Sequence, residues 1–215
     1  MTKQRFLWWS IPVFLLVLAA TALVYRDLPG TIPIQWNSAG EVSRYGPRST
    51  VFLSPLIMGG LMLLWPVLPT VSPDKFRVEG FSDTWWFSGI VTVALLAYIQ
   101  GVQLTVLAHG ALDIGRALFG GIGIAFVLLG NVLGKVKRNF WLGVRTPWTL
   151  ASDRVWYSTH RLAGKTMVTG GLVVLAAVLI GLPPYVSTAA LLAGALVPVV
   201  YSLVYYKRLE RAGGA

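Results

Sequence analysis

Catalysis needs a nucleophile or a general base held within hydrogen-bonding reach of its partner. The most suggestive group in this chain is Asp153, Trp156 and His160, spaced by three and then four residues. On a helix that spacing puts them on one face. An Asp–His pair two turns apart does not touch, so this is no ready-made dyad. Zinc sites take three or four protein ligands, and the chain has two histidines, His109 and His160, and no cysteine. Without cysteine there is no disulfide framework and no thiol nucleophile. Ala163-Gly164-Lys165 lacks the upstream glycines of a phosphate loop, and neither G-x-S-x-G nor H-E-x-x-H occurs. The residues therefore predict a non-enzyme with no metal and no cofactor.

The elements that must carry these residues are read from composition. Of 215 residues, 55% are hydrophobic and 12% charged. Average proteins are about 25% charged, so much of this surface faces lipid. A net charge of +10 in a soluble protein would suggest nucleic acid. Here the cations flank apolar runs, which suits anionic head groups and predicts no direct nucleic-acid partner. A span needs about 20 apolar residues. Runs free of Asp, Glu, Lys and Arg are Phe6–Tyr25, Ser49–Pro73, Thr84–Leu112, Ala117–Gly134 and Thr166–Tyr206. The first is too long for a cleaved signal core and is expected to be a retained helix. The last is too long for one span, and Pro183-Pro184 divides it into a helical hairpin. Six spans result, with both termini on one side. In that arrangement fourteen Lys and Arg lie on the side of the termini and four on the other, so the termini are expected in the cytoplasm.

The fold expected is an all-α membrane protein, a bundle of about six transmembrane helices. A two-helix module, 1–84, carries an outer loop, 26–49; a four-helix region, 85–215, carries a cytoplasmic loop, 135–165. In the outer loop Ile32, Ile34 and Trp36 alternate, and Asn37, Ser38, Ala39 and Gly40 follow as turn material, which predicts a short strand or β-hairpin. In the inner loop Gly143 and Pro147 interrupt regular structure. Ser152 is a good N-cap with Asp153 in the first turn, predicting an interfacial helix before the fifth span, anchored by Trp141, Trp148 and Trp156. Trp8, Trp9, Trp65, Trp85 and Trp86 near run ends read as membrane-interface anchors. Gln100, Gln103 and Asn131 are the polar residues within spans; they read as interhelical hydrogen bonds or as a polar pathway. Asp113 and Arg116 are spaced to pair. Gly130 and Gly134 allow close helix approach, read as packing inside one chain.

The inner loop carries a specific pattern: Asn131-x-x-Gly134, Lys135-x-x-x-Asn139, Gly143-Val-Arg-Thr-Pro-Trp-Thr-Leu150, Val155-Trp156 and Thr159-His160-Arg161. These strings resemble the SdpI family of bacterial membrane proteins, named for immunity to a secreted killing peptide. Leu28-Pro29 and Ile32-Pro33-Ile34-Gln35-Trp36-Asn37-x-x-Gly40-Glu41 resemble the small N-terminal module that often precedes such segments. Gln35 stands where that module often has histidine. The resemblance implies a multi-pass protein of the bacterial inner membrane that protects against a membrane-active peptide. Its implied partners are the lipid bilayer, a peptide toxin outside and a cytoplasmic repressor, which the founding member holds at the membrane. Candidate partner residues are Asn139, Arg145, Thr146, Pro147, Trp148, Trp156, His160 and Arg161 inside, and Trp36, Asn37 and Gly40 outside. The competing function is a small-solute transporter or channel through Gln100, Gln103 and Asn131.

Overall fold

The structure is a computed structural model and describes residues 2–37, 40–110 and 112–213. Seven α-helices and one hairpin follow in order: α1 (Lys3–Tyr25), β1 (Thr31–Trp36), β2 (Val42–Pro47), α2 (Leu53–Leu64), α3 (Ser82–His109), α4 (Ile114–Leu133), α5 (Pro147–Ala151), α6 (Asp153–Ile180) and α7 (Pro184–Arg211). Five helices are long and apolar enough to cross a membrane: α1, α3 with the turns leading into it, α4, α6 and α7. Large apolar side chains along them lie open, among them Leu16, Ile124, Leu179 and Leu196. In water such a surface would be costly; against lipid it is the expected outer face.

The second apolar run differs from expectation. It becomes a 3₁₀ turn (Arg48–Phe52) continuous with α2, together Arg48–Leu64. Five 3₁₀ residues and twelve α residues rise about 28 Å, slightly less than the roughly 30 Å hydrocarbon core, and the segment still runs from Val51 beneath the hairpin to Trp65 at the terminal end. Pro66 and Pro69 follow directly and end the helix, because proline cannot donate to the ladder. The division at the paired prolines holds: Pro183 caps α7 and Pro184 is its first residue.

Lateral order follows glycine. α6 packs between α4 and α7, α3 packs on α4, and α1 and α2 lie on α3. An added Cβ at Gly130 would sit 3.0 Å from the Gly164 carbonyl, and one at Gly171 2.6 Å from that of Gly123. On the other side of α6, a Cβ at Gly170 would meet the Ala190 carbonyl at 2.8 Å. Small residues thus let backbones touch, which accords with the intrachain packing expected for Gly130. For Gly134 the nearest atom is Arg161 Cα, at an ordinary 3.8 Å.

Three apolar clusters stack along the bundle. Leu28, Ile32, Val51 and Leu104 form one beneath the hairpin. Phe6, Met58, Met62 and Val93 join α1, α2 and α3. Val78, Trp85, Val136 and Trp156 form the third, at the end carrying both termini. The tryptophans sort accordingly. Trp8 and Trp9 are exposed, as anchors should be. Trp85 is fully buried, stacked on Trp65 at 4.7 Å, so its expected interface role is corrected: it is core.

Candidate functional site

At the terminal end the inner loop is built around Asn139, which is fully buried. Its amide nitrogen donates to the Lys137 and Leu142 carbonyls at 2.8 and 3.0 Å. Its carbonyl oxygen accepts from the Trp141 and Leu142 amides, both at 2.7 Å. One side chain thereby fixes a turn that no helix or strand could satisfy. Arg145, exposed on the next stretch, donates to the Phe140 carbonyl.

Thr146 and Pro147 start a helix. The Thr146 hydroxyl accepts from the Thr149 amide at 3.3 Å while Thr149 accepts from the Thr146 amide at 2.8 Å, a reciprocal capping box. Pro147 occupies the first turn, where its missing donor costs nothing. The result is the five-residue α5. The interfacial helix expected from Ser152 is corrected: Asp153 begins α6 itself, which continues unbroken to Ile180. No breaker lies between them, so one helix is favoured over two. Ser152 takes the N-cap position without a side-chain cap bond. Asp153 pairs instead with Arg138 at 3.0 Å, and Arg138 also donates to the Leu150 carbonyl at 3.0 Å.

The tryptophans of this loop are ties and not lipid anchors. Trp141 donates to Ser72 at 2.7 Å, and Trp148 donates to Ser202 on α7. Trp156 is fully buried and donates to the Val136 carbonyl at 2.8 Å. His160 stacks on Trp156 with ring centroids 4.0 Å apart. Its Nδ1 lies 2.8 Å from the Trp156 carbonyl, and the Val144 amide donates to its Nε2 at 3.0 Å. One nitrogen faces an acceptor and the other a donor, so the geometry assigns the neutral imidazole protonated at Nδ1. Gly143 lies against this ring. Its φ is +112°, and an added Cβ would sit 2.1 Å from Nε2. The predicted face of Asp153, Trp156 and His160 exists: Trp156 and His160 stack on each other there, while Asp153 pairs with Arg138.

Of the inner candidates, Asn139, Trp156 and His160 are thus buried, Thr146 and Trp148 are partly so, and Arg145, Pro147 and Arg161 are exposed. Under the loop lies an apolar cavity of about 250 Å³ bordered by Ser88, Leu133, Gly143, Ala163, Met167 and Pro198.

At the opposite end β1 and β2 pair antiparallel with irregular register around Gln35. Ile32 is fully buried and Ile34 partly, so the hairpin caps the ends of α1, α3 and the 3₁₀ turn. Trp36 is half-buried. Asn37 accepts from the Glu41 amide at 3.0 Å and donates to its carboxylate at 2.9 Å. Gly40, at φ +81°, donates to the Asn37 carbonyl at 3.0 Å. Asn37 and Gly40 therefore shape the turn. Ser38 and Ala39, also expected there, lie outside the described residues.

Gln100 is fully buried. Its amide donates to Thr21 on α1 at 3.1 Å and to the Val51 carbonyl at 3.0 Å. It ties three elements together. Gln103 is half-buried, and Asn131 is exposed in a groove between α4 and α6. Gln100 lies nine residues below the hairpin end of α3 and Asn131 seventeen below that of α4. At about 1.5 Å per residue they differ in depth by roughly 12 Å and face different neighbours. The structure does not bring them onto one path. Asp113 and Arg116 pair as expected, at 3.2 Å, and Asp113 also caps α4.

The fold and this site define a multi-pass helical membrane protein with a hairpin cap at one end and a hydrogen-bonded, tryptophan-tied loop at the other. Comparison with known proteins agrees. Residues 135–205 match the SdpI/YfhL protein family, and residues 13–59 match a domain of unknown function, DUF1648. The chain is 27% identical over 166 residues to the immunity protein SdpI of Bacillus subtilis (strain 168), covering 77% of each chain. No solved structure matches. The resemblance read from the motifs is thereby shown: the chain carries an SdpI-family segment preceded by a DUF1648 module.

Proposed function

We propose that this chain is an SdpI-type immunity protein of the bacterial inner membrane, with both termini cytoplasmic, and that it protects its host from a membrane-active peptide. The observation that carries this reading is the extended similarity to an immunity protein over 77% of both chains. The architecture supports it: the hairpin cap presents a folded surface at one membrane face, where such a peptide would arrive. The buried Asn139, Trp156 and His160 of the inner loop have their side-chain polar atoms engaged by loop and helix backbone, which suits a recognition or scaffold role better than chemistry. In this reading the 1–84 module meets the peptide through the edge around Trp36. The exposed Arg145 and Pro147 are where a cytoplasmic regulator docks.

The transport alternative loses its motivating feature, since Gln100 acts as a tie and Asn131 faces a different groove. Expressing the chain in a toxin-sensitive bacterium tests the proposal. Survival should rise under challenge with a membrane-active killing peptide. Unchanged survival across a range of such peptides, with the protein present in the membrane, would sink it.

A further inference from the structure

The grooves flanking α6 at the terminal end belong to no part of the reading above. Between α4 and α6 lies an open groove of about 660 Å³ bordered by Asn131, Lys135, Arg161, Lys165 and Thr169. Its floor is glycine, Gly130, Gly134 and Gly164, so donors on the two helices stand around a notch at backbone level. The Arg161 stem lies in ordinary van der Waals range of Gly134, with its Cα 3.8 Å and its Cγ 3.9 Å from where a Gly134 Cβ would be, so it runs along this notch. On the other side of α6, Arg161 and Lys165 also border a groove of about 610 Å³ with Arg154, Tyr157, Tyr201 and Tyr205. None of these border residues is acidic. Among the described residues Lys135, Arg161 and Lys165 have no carboxylate partner, whereas Arg77, Arg116, Arg138 and Lys207 each do.

Three cations without a carboxylate partner around one notch, at the level where apolar helix gives way to charge, make a favourable place for an anion. Arginine offers a planar fork to phosphate oxygens and lysine a point charge. Val168 and Thr169 continue the groove from the cations toward the membrane-spanning part of α6. A free phosphate would leave that extension empty, while acyl chains would fill it.

We propose that the α4–α6 groove binds the phosphate head group of an anionic phospholipid, held by Lys135, Arg161 and Lys165 with Asn131 and Thr169 as neutral donors. The purified full chain in mild detergent, mixed with phosphatidylglycerol or phosphatidylcholine and read by native mass spectrometry, tests this. The wild type should retain phosphatidylglycerol and not phosphatidylcholine. The triple variant Lys135→Gln, Arg161→Gln, Lys165→Gln should lose that retention by roughly a hundredfold, at about 1 kcal/mol per basic residue. A control triple variant, Lys207→Gln, Arg208→Gln, Arg211→Gln, should lose far less. Far-UV circular dichroism confirms that both are folded. If the groove variant misfolds, Arg161→Gln alone should still lower retention. Equal loss in both triple variants would reveal general surface attraction and overturn the site. So would unchanged retention in the groove variant. Displacement of the lipid by inorganic phosphate at equal concentration would overturn the lipid assignment.

Discussion

His160 illustrates how far a residue's type can mislead about its role. A histidine near an aspartate and a tryptophan suggests chemistry, yet both ring nitrogens are engaged and the ring is stacked and buried. What the sequence could not show is Val144, sixteen residues away, whose amide closes the contact. Gly143 is where this arrangement is most vulnerable. Gly143→Ala forces an alanine into a positive φ and into the His160 ring, at a cost of at least about 2 kcal/mol. Gly110 provides the control, since its φ is +67° but nothing lies within 4 Å of an added Cβ. Thermal unfolding in detergent should show Gly143→Ala lowering the midpoint clearly more than Gly110→Ala. Equal shifts would mean that the histidine contact is not structural.

Among elements, those with local causes were legible. The hairpin followed from alternation and turn residues, the division of α6 from α7 from paired prolines, and the Asp113–Arg116 pair from its three-residue spacing. The elements misread were those decided at long range. The interfacial helix failed because nothing between Ser152 and the fifth span stops a helix. Trp85 and Trp156 read as anchors because position near a run end does not reveal burial. Their partners, Trp65 and the Val136 carbonyl, lie 20 residues away in sequence. The candidate site shows the same division, with one exception. The capping box of Thr146 and Thr149 is local yet not legible, because Pro147 reads as a breaker and not as a helix start, while the ties from Trp141 to Ser72 and Trp148 to Ser202 span more than fifty residues. Helix contact through glycine gives a prediction at this scale. Gly130→Val places bulk against the α6 backbone, and overpacking costs about 1–3 kcal/mol. Gly120→Ala, with nothing within 4 Å, should be neutral or stabilising by up to about 1 kcal/mol through helix propensity. If both variants melt alike, α4 and α6 do not touch as described.

For the whole molecule, the asymmetry of charge and the two unlike ends give a prediction about how the bundle sits in the membrane. Fourteen of eighteen cations lie at the terminal end, and the hairpin cap closes the other. The absence of cysteine from the sequence makes orientation directly measurable. In intact cells an impermeant maleimide should label Ser43→Cys, on the exposed hairpin, and should reach Ala212→Cys only after permeabilisation. The reverse pattern would invert the topology and move the hairpin away from any extracellular peptide. At both ends of the protein buried polar side chains serve the fold, Gln100 tying α1, α3 and the 3₁₀ turn and Asn139, Trp156 and His160 holding the inner loop. The most direct test of its role remains the dose–response of a toxin-sensitive bacterium to a membrane-active killing peptide, with and without this chain at confirmed membrane levels. The curve should move to higher peptide with wild-type protein and return toward the control with the Gly143→Ala variant. Superimposed curves for wild type and control would contradict the immunity reading.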